Sequence, residues 1–320
     1  MTTATSCPST PRSLCRTPLE TYPSRPGQSK LTHPSTFSIV AFDPDLPAWG
    51  VAVASKFPAV GAVVPWAIAG VGAVATQALA NTSYGPRGLE LLSQGRSALE
   101  AVEQLIDPDD LRDQRQVGIV DAHGGSATFT GGECFDWAGG TSSEGVAIQG
   151  NILAGSSVIE QMYKAYRDSV GPFPQRLLEA LTAGDAAGGD RRGRQSAAIL
   201  IVKPQAGYGG LNDRWIDYRV DDHEDPLPQL AHLLKLHDLY FGESREQDRL
   251  PIAGSTGQDL QQIMSRLGYY RGEIDGRYGD LTRQALRSFI GNENFEDRTD
   301  IEKGTIDRPV FEFLVGKFLK

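Results

Sequence analysis

Cysteine is scarce in this 320-residue chain. Cys7 and Cys15 sit in a Pro/Ser/Thr-rich tail and Cys134 lies far from both, which excludes a disulfide framework and suits no zinc site. Long apolar runs are missing too. No stretch reaches the roughly eighteen residues that a membrane-crossing helix needs, and the most hydrophobic region, 51–79, is broken by Lys56, Pro58, Pro65 and several glycines. The first 35 residues lack the uninterrupted apolar core of a secretory signal, so the cytosol is the expected compartment. Positive charge is in deficit: 31 Lys and Arg face 40 Asp and Glu, a net charge of −9. That balance repels a phosphate backbone and argues against a nucleic-acid partner.

What is present divides the chain. Residues 1–35 carry Pro8, Pro11, Pro18, Pro23, Pro26 and Pro34 among many Ser and Thr, with too few large apolar groups to offset the entropy of ordering. They read as a disordered extension, either a removable leader or the product of a start placed too far upstream. From Thr36 the pattern becomes β-like: 36–42 and 49–55 flank the turn formers Asp43-Pro-Asp45-Leu-Pro47 and predict a hairpin. Runs at 60–67 and 71–76 predict two more strands. Helical pattern follows at 86–93 and again after Ser97-Ala-Leu-Glu100, a capping box. Strands are expected at 116–121, 126–130 and 145–149, a helix from the second box Ser157-Val-Ile-Glu160, and another at 173–182. Strands at 196–203 and 215–220 precede an amphipathic helix at 228–241. Strands, then helices, then strands again imply an α/β domain over 36–242 in which two sheets are covered by helices. The charged, Gly-bearing stretch 243–257 reads as a linker, and 258–320 as a small three-helix domain with helices at 258–267, 281–289 and 308–319, the last with Asp307 as N-cap.

Several strings are jointly specific: Thr36-Phe-Ser-Ile-Val-Ala, Gly50-Val-Ala-Val-Ala-Ser-Lys56, Gly70-Val-Gly-Ala-Val-Ala-Thr-Gln77, Tyr84-Gly-Pro-Arg-Gly88, Gln149-Gly-Asn151, Gly188-Gly-Asp-Arg-Arg-Gly-Arg-Gln-Ser196 and Arg219-Val-Asp-Asp-His223. Through them, 36–242 resembles the DUF1028 family. The resemblance implies a four-layer αββα sandwich of the N-terminal-nucleophile-hydrolase type and, with it, amidase chemistry on a small amide. In such enzymes a Thr, Ser or Cys opens the first strand and its own α-amine, titrating near ~8, serves as base for the side-chain nucleophile. Thr36 is the candidate, ahead of Ser38, which has no free amine. The mechanism demands a free amine at Thr36, and 35 residues stand upstream of it. The competing reading makes Thr36 an ordinary β-branched strand residue in a non-catalytic, small-molecule-binding scaffold.

Around Thr36 the expected machinery is as follows. Lys56, at the end of the second strand, would lower the amine's pKa and stabilise developing negative charge. Thr76, Gln77 and Asn81 would line an oxyanion site where a strand passes into a helix start, or simply cap that helix. Asp190 would orient the amine or an arginine, while Arg191, Arg192 or Arg194 recognises a substrate carboxylate with a planar fork. Gln149, Asn151 and Ser196 stand at strand ends where they could hydrogen-bond substrate. No metal or cofactor is expected: Gly70-Val-Gly-Ala-Val-Ala75 reads as a strand rather than a dinucleotide loop, and Asp221-Asp222-His223 as solvated charge. Cys134 reads as a small buried thiol. The strings Leu267-Gly-Tyr-Tyr270 and Ile274-Asp-Gly-Arg-Tyr-Gly279 resemble a peptidoglycan-binding-like module, whose Tyr269, Tyr270, Asp275 and Tyr278 could meet a sugar or peptide. Without an export signal, a protein partner or assembly into a homo-oligomer is preferred for that module over wall binding, with a peptidoglycan fragment as the alternative.

Overall fold

The computed structural model describes residues 36–242 and 245–319. The expected disorder of 1–35, with Cys7 and Cys15, lies outside the described residues. The predicted hairpin forms from β1 (Thr36–Asp43) and β2 (Ala48–Ser55), followed by β3 (Pro65–Ile68) and β4 (Gly72–Ala78). Helices α1 (Tyr84–Ser93) and α2 (Ala98–Ile106) come next, then β5 (Arg115–Asp121), β6 (Ser126–Thr130), β7 (Gly139–Ser143) and β8 (Val146–Asn151). After α3 (Ser157–Asp168) and α4 (Phe173–Ala186), β9 (Ser196–Val202), β10 (Arg214–Val220) and α5 (Pro226–Phe241) complete the larger part. Its strands form a six-stranded antiparallel sheet in the order β10-β9-β2-β1-β8-β7 and a four-stranded one in the order β3-β4-β5-β6.

Strand alternation decides what lies on each face. In β1, Phe37, Ile39 and Ala41 join Val158 and Met162 of α3, Leu177 and Leu181 of α4, and Leu230 of α5 in one apolar cluster. Val40, one residue out of phase, joins Val51, Val53, Ala198 and Leu200 of its own sheet and Ala73, Ala75 and Val120 of the other. On β4 and β5 the remaining phase, Val74, Val117 and Ile119, packs with Leu89 and Leu92 of α1 and Val102 and Leu105 of α2. One side of the larger sheet therefore meets helices and its other side meets the smaller sheet, whose far side carries α1 and α2.

Some local expectations need correction. The run 60–67 splits: Ala59 is left-handed (φ 51°), Val60–Ala62 makes one 3-10 turn that drives Val60 into the inter-sheet core, and β3 starts only at Pro65. β7 escaped notice because its Gly139-Gly-Thr-Ser-Ser143 has no apolar face, and as an edge strand paired with β8 alone it needs none. The Ser97 capping box is present in full, whereas α3 begins at Ser157 itself without a side-chain cap.

In the C-terminal part, α6 (Gly254–Arg266), α7 (Asp280–Glu293) and α8 (Arg308–Phe318) match the three expected helices. They are joined by a small sheet, β11-β13-β12, from β11 (Arg249–Pro251), β12 (Thr299–Asp300) and β13 (Thr305–Asp307). The stretch 243–257, read as linker, thus contributes a strand and a helical turn, because Leu250 and Ile252 pack into the core around Leu260, Phe289 and Leu314. Asp307 occupies the N-cap position of α8, but its carboxylate makes no cap; it pairs with the buried Arg298 at 2.5 Å.

Candidate active site

Register brings the candidate nucleophile into polar company. Thr36 opens β1 opposite Ser55 of β2 on one side and Asn151 of β8 on the other, and Ser55 in turn faces Ser196 of β9. Directly paired residues of an antiparallel sheet share a face. Ser196, Ser55, Thr36 and Asn151 therefore form one polar row across four strands, on the side that looks toward the smaller sheet. All four are buried, and Thr36 Oγ1 lies 3.2 Å from Ser55 Oγ.

Beneath this row the two sheets are joined by side-chain amides instead of apolar groups. Ser38 donates to Gln77 Oε1 at 2.7 Å and accepts from Gln149 Nε2 at 2.7 Å. Gln77 Nε2 donates to Gln116 Oε1 at 2.7 Å and also reaches the Thr36 and Gln149 carbonyls, each at 3.3 Å. Asn151 Nδ2 shares the Gln116 oxygen at 3.0 Å, while Gln116 Nε2 donates to Thr130 Oγ1 at 2.8 Å and to the Gly150 carbonyl at 2.8 Å. Gln149 Oε1 accepts from Thr128 at 3.3 Å. Gln77, Gln116 and Gln149 are fully buried, so each satisfied amide avoids a desolvation cost of about 1–3 kcal/mol. Room for the network comes from Gly118: a Cβ there would stand 2.0 Å from Gln149 Oε1.

At the rim, the turn after α4 is tied to the end of β2. The Asp190 carboxylate accepts from Lys56 N–H at 2.8 Å and Arg192 N–H at 2.9 Å, and the Arg192 guanidinium pairs with it at 3.2 Å. Lys56 extends to the Arg194 carbonyl at 3.1 Å and is exposed. Arg194 grips Asp185 at 2.7 Å. Arg191 is exposed, and its side chain makes no hydrogen bond or ion pair among the described residues. Ser196 donates to the Phe57 carbonyl at 2.5 Å and accepts from Val60 N–H at 3.2 Å, so it fixes the turn after β2.

Thr76 and Asn81 belong elsewhere. On β4, Gln77 shares the phase of Ala73 and Ala75, which face the larger sheet; Thr76 is out of phase and donates to the Asn81 carbonyl at 3.1 Å. Asn81 leads into α1, its amide accepting from Ser83 N–H and donating to Asp109 at 3.1 Å. Asp109 also receives Tyr84 Oη at 2.8 Å and Arg115 Nε at 3.0 Å. Burial alone would raise the Asp109 carboxyl, but these donors and Leu111 N–H outweigh it and hold the group well below the usual carboxylate range. Burial, reinforced by Asp109, pushes the Tyr84 hydroxyl well up. Cys134 is half-buried, donating to the Arg115 carbonyl at 3.3 Å, and burial raises its thiol to about 11.

Sequence reasoning missed Ser55, Gln116 and the Asp109–Arg115 pair. Ser55 was recoverable: closing the hairpin over 44–47 places it opposite Thr36. Gln116 carried only a weak signal, an uncharged polar residue near the start of β5, just ahead of the apolar run 117–120. As it stands, Thr36 Oγ1 has a hydroxyl beside it, which is too weak a base to deprotonate it. Its nitrogen is an amide in the chain that begins at Met1.

Residues 36–230 match the model described as "Family of unknown function (DUF1028)", more than half of the chain. The chain belongs to the DUF1028 family. A second model, described as "Putative peptidoglycan binding domain", matches residues 240–314, so the DUF1028 domain is followed by a peptidoglycan-binding-like domain. Among solved structures, the chain is similar to protein SPO2555 from Silicibacter pomeroyi, also a DUF1028 protein. The two are 32% identical over 64% of this chain and 89% of that one, with a TM-score of 0.59. No curated protein matches the chain. Among the described residues of this DUF1028 chain, no helix is long and apolar enough to cross a membrane.

Proposed function

We propose that this protein is a latent amidohydrolase in which the two sheets and their helices form the αββα sandwich of N-terminal-nucleophile hydrolases, and that Thr36 is its nucleophile once residues 1–35 are removed. The supporting observation is the polar row at the start of β1, which sets Thr36 between Ser55 and Asn151 over an uncharged amide network. Among the described residues no carboxylate or imidazole partners Thr36 Oγ1, which favours a proton acceptor supplied by the residue itself. An α-amine titrating near ~8 does that and an amide nitrogen does not. Gln77 holds the Thr36 carbonyl and so fixes the direction of the first strand, while Asn151 is the adjacent amide donor for a developing oxyanion. Arg191, whose guanidinium has no partner among the described residues and whose backbone N–H bonds the Ile152 carbonyl next to Asn151, is the cation suited to a carboxylate-bearing substrate.

The alternative is a silent scaffold that binds a small molecule. It draws support from the complete burial of Thr36 and from Lys56, whose ammonium reaches the Arg194 carbonyl. The peptidoglycan-binding-like domain points to a wall-type ligand, which a cytosolic protein would meet as soluble turnover fragments. Intact mass of the protein purified from its own source separates the readings. Loss of residues 1–35 together with cleavage of an amide in a substrate panel supports the hydrolase; a retained extension with no turnover supports the scaffold.

A further inference from the structure

A cleft of about 920 Å³ lies between β10, α5 and the C-terminal domain, within the roughly 300–1,000 Å³ typical of small-molecule sites. Both domains build it. Trp215 and Tyr218 come from β10, Tyr240 from the end of α5, Arg249 from β11 and Asp297 from the turn before β12. The register shift between Arg214 and Ile216 marks a bulge that turns Trp215 to the same side as Ile216 and Tyr218.

The rings here are connected across the domain junction. His237 meets Trp215, Tyr218 and Phe241 at centroid distances of 6.5, 5.7 and 5.3 Å. Phe241 meets Tyr240 at 6.4 Å, and Tyr240 stacks on Phe295 of the C-terminal domain at 4.7 Å. Part of this aromatic surface faces water: Tyr208 is 83% exposed and Phe241 58%. Exposed aromatic surface in a concave site marks a binding surface.

Charge defines the ligand class. Arg214 is paired with Asp217 at 2.9 Å, and Asp307 takes both the buried Arg298 at 2.5 Å and Arg249 at 3.8 Å. With Asp297 also in the lining, the charges around the cleft balance, and Arg249 and Asp297 contribute one guanidinium and one carboxylate to it. Such a site does not select a polyanion. It offers flat apolar faces together with a planar guanidinium and a carboxylate, each able to bridge neighbouring hydroxyls. This combination fits a pyranose, which has a C–H face and an edge of hydroxyl groups. Resting on the reading that the C-terminal domain meets wall-type ligands, we propose that the junction cleft binds an uncharged, N-acetylated pyranose oligosaccharide. Trp215, Tyr208 and Tyr240 stack on the sugar rings, and Arg249 and Asp297 bind their hydroxyls. The ligand is then read by both domains together.

The test is calorimetric titration of the full chain with triacetylchitotriose, paired with co-sedimentation on purified peptidoglycan. Wild type binds the trisaccharide; Trp215→Ala and the solvent-exposed Tyr208→Ala each weaken it by about tenfold, while Trp215→Phe stays close to wild type. Tyr208 is too exposed for its removal to threaten folding, so a loss there is a loss of binding. Absence of heat with wild type, or unchanged affinity in both alanine variants, overturns the cleft. Co-sedimentation that persists in both variants leaves the wall-ligand reading standing and removes the cleft. Failure of wild type in both assays, with neither co-sedimentation nor trisaccharide binding, removes both.

Discussion

Replacing Gln77 by alanine tests whether the amide network holds the two sheets in register at the Thr36 end. Gln77 is fully buried, accepts from Ser38 at 2.7 Å, and donates to Gln116 at 2.7 Å and to the Thr36 and Gln149 carbonyls at 3.3 Å. After truncation, Gln116 Oε1 keeps Asn151 as a donor and Ser38 keeps Gln149, but the Ser38 hydroxyl proton loses its acceptor. One orphaned buried donor costs about 1–3 kcal/mol, and the loss of a second strong bond adds about 1 kcal/mol. With the cavity left by the missing side chain, the total is about 3–5 kcal/mol, a large part of the roughly 5–15 kcal/mol that stabilises a typical domain. Urea unfolding followed by circular dichroism measures it, and the Ser38→Ala background supplies the cycle. Because Ser38→Ala removes the group that Gln77→Ala orphans, the double variant should be about 1–2 kcal/mol more stable than the sum of the two losses implies. A loss below about 1 kcal/mol, or strict additivity, would refute the reasoning.

Gly118→Ala should cost about 1–3 kcal/mol, because its Cβ would press on Gln149 Oε1 and Cδ, at 2.0 and 2.5 Å, in a side chain held by Ser38 and Thr128; a thermal melt equal to wild type would contradict this. Asp190→Asn should lower stability by about 2–3 kcal/mol and speed amide exchange at Lys56 and Arg192, whose N–H groups it serves; unchanged exchange at both would show that the turn is held by other contacts. His237 is held below its ordinary pKa by burial, partly opposed by Asp238. A depressed folded value means that its contribution is fully present above the ordinary value of about 6.5 and is lost as pH falls. The urea midpoint should therefore drop from pH 7 toward pH 5.5, with a shallower drop in His237→Gln; equal slopes would assign the effect to other groups.

Apolar periodicity made β1, β2, β9 and the helices legible in advance, since each has one face that must be buried. β7 and β11 were illegible for the opposite reason: an edge strand of glycine, threonine and serine, and a strand of three residues, leave no pattern to read. Thr36 was named from the family resemblance and Gln77, Gln149 and Asn151 from strand ends, and the four share one network. Thr76 and Asn81 were grouped with them by adjacency in sequence, which strand alternation undoes after a single residue. Gln116 was placed on a strand but given no role, and Asp109 was not singled out, because each takes its meaning from partners on another strand or helix.

The central claim is that Thr36 is a nucleophile awaiting a free amine. It is tested most directly by preparing the protein with Thr36 as its first residue and comparing it with the chain that begins at Met1, both incubated with a panel of small amides and followed by product release and intact mass. The account predicts turnover, or a trapped acyl adduct, for the Thr36-initiated protein alone, and loss of both in its Thr36→Ala variant. Equal rates for the two chain lengths, or turnover that survives the Thr36→Ala substitution, would contradict it.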